Sequence, residues 1–80
     1  MTERAPPPLT PTEQKVARLV SLGCDYRTIG ERLDMDERTA ASHVYHIAQK
    51  LPNPDGLKPY TLVLLWSAHQ RWLEERDSAA

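Results

Sequence analysis

The sequence predicts an all-α domain of four helices, at about residues 11–22, 26–33, 37–51 and 60–75. Two observations favour this fold class. Residues that cap helix N-termini stand before the first three segments, and apolar residues recur within the segments at the three-to-four-residue spacing of a helix face. A chain of 80 residues is long enough for one small domain, which we place at residues 9–76.

The first helix has a complete start signal. Residues 1–8, MTERAPPP, end in three prolines and predict a flexible tail of polyproline II character. Thr10 then stands as an N-cap, Pro11 takes the first helical position, and Glu13 follows Thr10 by three residues, which is a capping box. Gly23 provides the stop. The apolar stripe between these signals consists of Val16, Leu19 and Val20.

The second helix is short and contains a glycine. Asp25 is its predicted cap, and Ile29 and Leu33 point inward. Gly30 in the middle costs about 1 kcal/mol relative to Ala. We therefore expect another helix to approach closely at Gly30.

The third helix separates an apolar face from a polar one. Asp36 is its predicted cap, and Met35 in the preceding tight turn is the predicted buried plug. The core face consists of Ala40, Val44, Ile47, Ala48 and Leu51. The opposite face consists of Arg38, Ala41, Ser42, Tyr45 and Gln49. Two short helices joined by a tight turn form a helix-turn-helix, whose second helix would present this polar face to a major groove.

The fourth helix is apolar on nearly every side of its first two turns, although a surface helix normally buries only one stripe. A second apolar face needs a second surface to cover it. We therefore predict self-association, and assign to a homodimer contact the residues Leu62, Leu65, Trp66, His69, Trp72 and Leu73.

The composition restricts the other functional classes. Ten Lys and Arg against eleven Asp and Glu give a net charge of −1, whereas nucleic-acid-binding domains are typically basic. A local basic patch can still suffice, with lower non-specific affinity. The lone Cys24 suits a reducing compartment, and there is no signal segment or apolar membrane span. These features predict a soluble, cytoplasmic protein that does not contact membranes.

The segment LTPTEQKVARLVSLGCDYRTIGERLDMDERTAASHVYHIAQKL, residues 9–51, resembles the LuxR/GerE-type helix-turn-helix domain of bacterial transcription regulators. The matching positions are Leu9, Thr10, Glu13, Val16, Leu19, Gly23, Ile29, Leu33, Thr39, His43, Ile47, Lys50 and Leu51. The resemblance implies four helices, of which the second and third read double-stranded DNA and a long fourth often forms a two-fold dimer. The chain is most similar to the free-standing, GerE-like kind.

The resemblance also implies candidate DNA contacts. The candidates for phosphate contacts are Arg27, Arg38, Thr39 and Lys50. The candidates that face the groove are Ala41, Ser42, Tyr45 and His46.

Departures from the family pattern support an alternative. Family members usually carry a basic residue at the position of Ala41 and often another near Tyr45. The polar face of the third helix is nearly neutral, and the whole chain has a net negative charge. These features favour the alternative of a helix-turn-helix module that binds another transcription regulator or RNA polymerase and does not read DNA. A third interpretation, the promoter-reading end of a sigma factor, is disfavoured by the longer apolar fourth helix.

Enzymatic and metal-binding functions find little support. No cysteine pair has the spacing of a zinc site, although Cys24, His43, His46 and His69 exist. Ser42 and His43 are neighbours on a helix and point apart, so they do not form a catalytic dyad. We expect no enzymatic activity, no metal and no cofactor.

Overall fold

The computed structural model describes residues 9–79, with side chains described through Arg76. The predicted tail, residues 1–8, lies outside this part of the chain. Four α-helices form the described fold, without strands, which confirms the predicted all-α class. The helices are α1 (Pro11–Ser21), α2 (Tyr26–Leu33), α3 (Glu37–Gln49) and α4 (Pro59–Ala79).

The three predicted caps begin their helices. The Thr10 hydroxyl accepts a hydrogen bond from the Glu13 backbone N–H (3.1 Å), and the Glu13 carboxylate accepts one from the Thr10 N–H (3.0 Å). Asp25 accepts from the Thr28 N–H at 2.9 Å, and Asp36 from the Thr39 N–H at 2.7 Å. Each such cap contributes about 1 kcal/mol to stability.

The helix ends differ from the predicted ones by a few residues. α1 ends one residue earlier because Leu22 turns its N–H back to the Leu19 carbonyl (3.1 Å). α3 ends two residues earlier because Lys50 and Leu51 make tighter i to i−3 bonds before the Pro52 break. α4 begins one residue earlier, with a proline at its first position, and runs four residues further. Such differences arise because the backbone N–H and C=O groups at the ends of a helix have no partner within the helix and bond to nearby groups instead.

The core lies where α1, α3 and α4 meet, with α2 packed on α3. Its fully buried side chains are Val16, Val20, Ile29, Val44, Ile47 and Val63. All five residues of the predicted core face of α3 are buried, from Ala40 to Leu51. α3 therefore turns its polar face outward because its opposite face is committed to the core.

Gly30 is approached closely, but by a turn and not by another helix. A Cβ at Gly30 would lie 2.5 Å from the Met35 carbonyl oxygen. This approach is possible because Asp34 adopts a left-handed conformation (φ 57°), which folds the chain back over the end of α2. Met35, the predicted plug, is half-buried against the core. The short α2–α3 turn thus depends on the missing side chain at Gly30.

Tyr60 attaches the start of α4 to the turn that follows α1. Its hydroxyl donates a hydrogen bond to the Cys24 carbonyl (2.6 Å), and its ring meets Tyr26 edge to face at 5.6 Å between centroids. Burial raises the pKa of Tyr60, so the hydroxyl keeps the proton that it donates. These contacts fix the first turn of α4 to the turn after α1 and to the first residue of α2.

Candidate nucleic-acid interface

The outer face of α3 presents most of the predicted groove-facing residues together. Arg38, Ser42, Tyr45 and His46 are exposed on one side of the helix, and Ala41 beside them is half-buried. Arg38 is the only Lys or Arg between the two ends of this helix. The face can therefore offer one full charge, two hydroxyls and an imidazole to a ligand.

The N-terminus of α3 is held by an anion. The Asp36 carboxylate lies against Thr39, whose side chain and backbone N–H lower the pKa of Asp36 by hydrogen bonding. Asp36 is therefore ionised at neutral pH, next to the exposed Arg38 and Thr39. This charge favours the helix start but opposes the approach of a phosphate to the same end.

A shallow, acidic depression surrounds the α2–α3 turn. It has a volume of about 510 Å³, and the charged residues that line it are Arg27, Glu31, Asp34, Asp36 and Glu37. Arg27, a predicted phosphate contact, places its Nε 3.5 Å from the Glu31 carboxylate on the exposed surface. Exposed pairs of this kind are worth at most about 1 kcal/mol, so a phosphate can compete with Glu31 for Arg27.

Lys50, another predicted phosphate contact, is joined to α1. Its Nζ lies 2.7 Å from Oε1 of Glu13, and the Glu13 side chain is only 9% exposed, against 35% for Lys50. The hydrogen bond from Lys50, followed by that from the Thr10 N–H, lowers the pKa of Glu13. A phosphate contact by Lys50 would have to share this cation with Glu13. The 37-residue separation of the pair explains why local sequence patterns indicated only the cap.

The predicted dimer residues of α4 lie along one stripe that crosses the edge of the core. Leu62 is 8% exposed and belongs to the core, and Trp66 packs against it, half-buried. Leu73 is also half-buried. Leu65 and Trp72 are 56% and 52% exposed, with His69 on the same outward side. The assignment of all six residues to a dimer contact is therefore corrected. Residues three positions apart lie only about 60° apart on a helix, but the edge of the core falls between Leu62 and Leu65.

The outward face of α4 has an ordered aromatic group. The His69 and Trp72 rings stack with centroids 5.9 Å apart, and the Arg76 guanidinium lies 5.2 Å from the centre of the Trp72 ring. An exposed Trp braced on both sides is typical of a contact surface, because large aromatics and Arg are enriched at interfaces.

Among the described side chains, residues 9–76, no cluster of three or more His, Cys, Asp or Glu could bind a metal. In the same part of the chain, no helix combines the length and the apolar character needed to cross a membrane.

Comparisons with known proteins place the helix-turn-helix in a family. Rv0890c of Mycobacterium tuberculosis, provisionally named an HTH-type transcriptional regulator, is 46% identical over 50 residues, which are 62% of this chain and 6% of that protein. The nitrate/nitrite response regulator protein NarL of Escherichia coli is 33% identical over 70 residues, 88% of this chain and 31% of NarL. The chain thus spans less than a third of these relatives. No solved structure shows a significant match.

The family match covers all of α1, α2 and α3. Residues 7–55 fit the family described as bacterial regulatory proteins, luxR family. This range includes the three caps, the close turn at Gly30 and the polar face of α3, and it exceeds half of the chain. The protein therefore belongs to the luxR family of bacterial regulatory proteins.

Proposed function

We propose that this protein is a DNA-binding transcriptional regulator that inserts α3 into the major groove as a dimer. The observation that supports this most directly is the polar, exposed face of α3 in a luxR-family helix-turn-helix, whose opposite face is buried. The names of Rv0890c and NarL, a transcriptional regulator and a response regulator, agree with a regulatory role.

In this proposal the residues of α3 contact different parts of the DNA, according to their position along the helix. Arg38 and Thr39, in the first turn, contact phosphates and set the register of the helix. Ser42 can hydrogen-bond to several bases, and Ala41 suits the methyl group of thymine. Tyr45 and His46, further along, contact the backbone or the groove edge. None of the four groove-facing side chains supplies a bidentate base contact, so sequence discrimination per half-site is modest.

The dimer contact uses the outward face of α4. Leu65, His69 and Trp72 provide the exposed surface, together with the half-buried Leu73. Leu62 and Trp66 support this face from the core side and contribute little area of their own. A two-fold contact through α4 would present two α3 helices to two half-sites, as dimeric helix-turn-helix proteins do.

The salt dependence of binding to random duplex DNA tests the phosphate contacts. Arg38→Ala should weaken binding about equally on all sequences and reduce the slope of log K against log salt by about 1, as the loss of one phosphate contact does. The matched control is Lys58→Ala, which removes an exposed cation outside α3 and should leave the slope unchanged. A changed sequence preference with an unchanged slope for Arg38→Ala would contradict the phosphate role.

A second candidate is supported by the acidic α2–α3 turn and the uncharged Ala41. In it the same module binds another transcription regulator or RNA polymerase and does not read DNA. Ala41→Lys separates the two candidates, because it restores a cation at the half-buried edge of the outer face. If α3 faces DNA, this variant binds random duplex more tightly. If it folds and binds no better, the protein-binding candidate becomes the better one.

A further inference from the structure

A second surface, the α1–α4 groove, lies apart from the outer face of α3. It has a volume of about 650 Å³ between α1 and α4, and Arg32 and Leu33 in the last turn of α2 also line it. Its apolar floor includes Leu9, Ala17, Leu33 and Trp66. None of the residues that line it belongs to α3, so it is not needed for contact with a major groove.

The rim of the α1–α4 groove is strongly cationic. Lys15, Arg18, Arg32 and Arg71 line it, against a single carboxylate, Glu74. Arg71 also reaches Glu75 at 3.4 Å, whereas the other three cations make no ion pair with another described residue. The whole chain has a net charge of −1, so this concentration of positive charge is local.

The groove also contains a buried hydroxyl without a hydrogen-bond partner. Ser67 lines the groove and is 4% exposed, and its Oγ is paired with no atom of the described residues. Buried polar side chains in folded proteins are nearly always paired. Because the Oγ itself is closed to solvent, a molecule in the groove could supply this partner only after neighbouring side chains shift.

We propose that the α1–α4 groove binds an acidic amphipathic helix of a partner protein. The apolar face of such a helix would cover Trp66 and Leu33, and its flanking carboxylates would reach Arg18 and Arg32, which is the helix-in-groove mode of recognition. Charge complementarity identifies this occupant. Nucleic acid fits less well, because phosphates gain nothing from the apolar floor. This inference goes beyond DNA binding, since it gives the regulator a surface for a protein that can act while α3 is occupied.

The test is an NMR titration of the ¹⁵N-labelled chain with a synthetic peptide of about 18 residues, with Leu on one helical face and Glu on its flanks. The backbone amide of Ser67 and the indole N–H of Trp66 should shift in a saturable way. Arg18→Glu combined with Arg32→Glu should raise the Kd about tenfold or more, since two favourable charge pairs become repulsive. Lys58→Glu, an exposed cation outside the groove, is the control and should leave the Kd within about twofold.

Several results would overturn the inference. A peptide with Lys in place of Glu that binds equally well would remove the charge argument. Shifts centred on α3 or on Trp72, or the absence of saturable shifts, would show that the groove is not the docking surface. Random duplex DNA that shifts the Trp66 indole and displaces the peptide would make the groove a nucleic-acid surface. None of these outcomes depends on whether α3 reads DNA.

Discussion

The ion pair between Glu13 and Lys50 makes the most quantitative prediction. It connects the first turn of α1 to the end of α3, with 2.7 Å between Nζ and Oε1. Lys50→Met keeps the length of the side chain and removes its charge. The Glu13 side chain, 9% exposed, would then keep its hydrogen bond from the Thr10 N–H but lose its ion pair with Lys50.

The expected cost follows from the unequal burial of the two partners. Breaking a fully buried pair costs about 3–5 kcal/mol, but Lys50 is 35% exposed and the pair is partly screened. A hydrogen bond to a charged group contributes about 1.5–3 kcal/mol. We therefore expect Lys50→Met to lower the free energy of unfolding by about 2 kcal/mol. For a domain of this size the loss corresponds to a fall in Tm of about 10 °C.

A double-mutant cycle isolates the pair. Glu13→Gln is the matched variant, because Gln at the third helical position also closes a capping box. Lys50 takes part in other interactions, so its single variant overstates the value of the pair, and the coupling should be about 1 kcal/mol. Urea denaturation of the four proteins at neutral pH measures it. A coupling indistinguishable from zero would refute the assignment of this ion pair as a stabilising link between α1 and α3.

The pH dependence gives an independent check on the same pair. The pKa of Glu13 is lowered in the folded state, so the folded protein binds a proton less readily than the unfolded chain. The stabilisation is then fully present above the unfolded pKa of about 4.3 and is lost as the pH falls through the folded value. Wild type and Lys50→Met should therefore converge in stability in acid. A constant difference between pH 7 and pH 2 would contradict this.

Three further predictions concern packing and assembly. Trp72→Ala should raise the dimer Kd about thirtyfold while helix content stays intact; a wild-type chain that sediments as a monomer at about 100 times its DNA-binding concentration would rule out the dimer. Gly30→Ala should cost about 1–2 kcal/mol in urea denaturation, because overpacking against the Met35 carbonyl exceeds the gain in helix propensity; a stabilised variant would refute the close approach. Ser67→Ala should raise stability by about 1 kcal/mol, since it removes a buried unpaired hydroxyl; an equal loss would mean that the hydroxyl has a partner.

Local signals predicted the first three helices closely. Thr10, Asp25 and Asp36 cap residues only three positions away, so short stretches of sequence contain the whole interaction. The apolar face of α3 was equally clear because polar residues separate it on both sides. The positions of α3 that are not part of this apolar face then form the polar outer face, which carries the candidate DNA contacts of this helix.

Non-local features could not be read in the same way. α4 is apolar on nearly every side, so its spacing alone cannot say that Leu62 packs inward and Leu65 faces out. The pairing of Lys50 with Glu13 depends on how α1 and α3 cross. At Gly30 the helix-propensity cost correctly indicated a close approach, but the approaching group is the Met35 carbonyl of the next turn, which depends on the left-handed Asp34.

The arrangement of charge explains why the proposed dimer matters for DNA binding. The net charge of −1 conceals a separation, with carboxylates at the α2–α3 turn and four cations around the α1–α4 groove. In one domain, α3 supplies a single cation for phosphate contacts, Arg38. The other two candidate cations, Arg27 and Lys50, already form ion pairs with carboxylates. One domain therefore neutralises few phosphates, so its affinity for DNA should be weak and should depend only modestly on salt. In the proposed dimer, two domains joined through Trp72 would engage neighbouring half-sites at a high effective concentration, which can raise affinity on the order of 100-fold or more without a new contact. We therefore expect DNA binding to respond more to Trp72→Ala than to the loss of any one contact on α3.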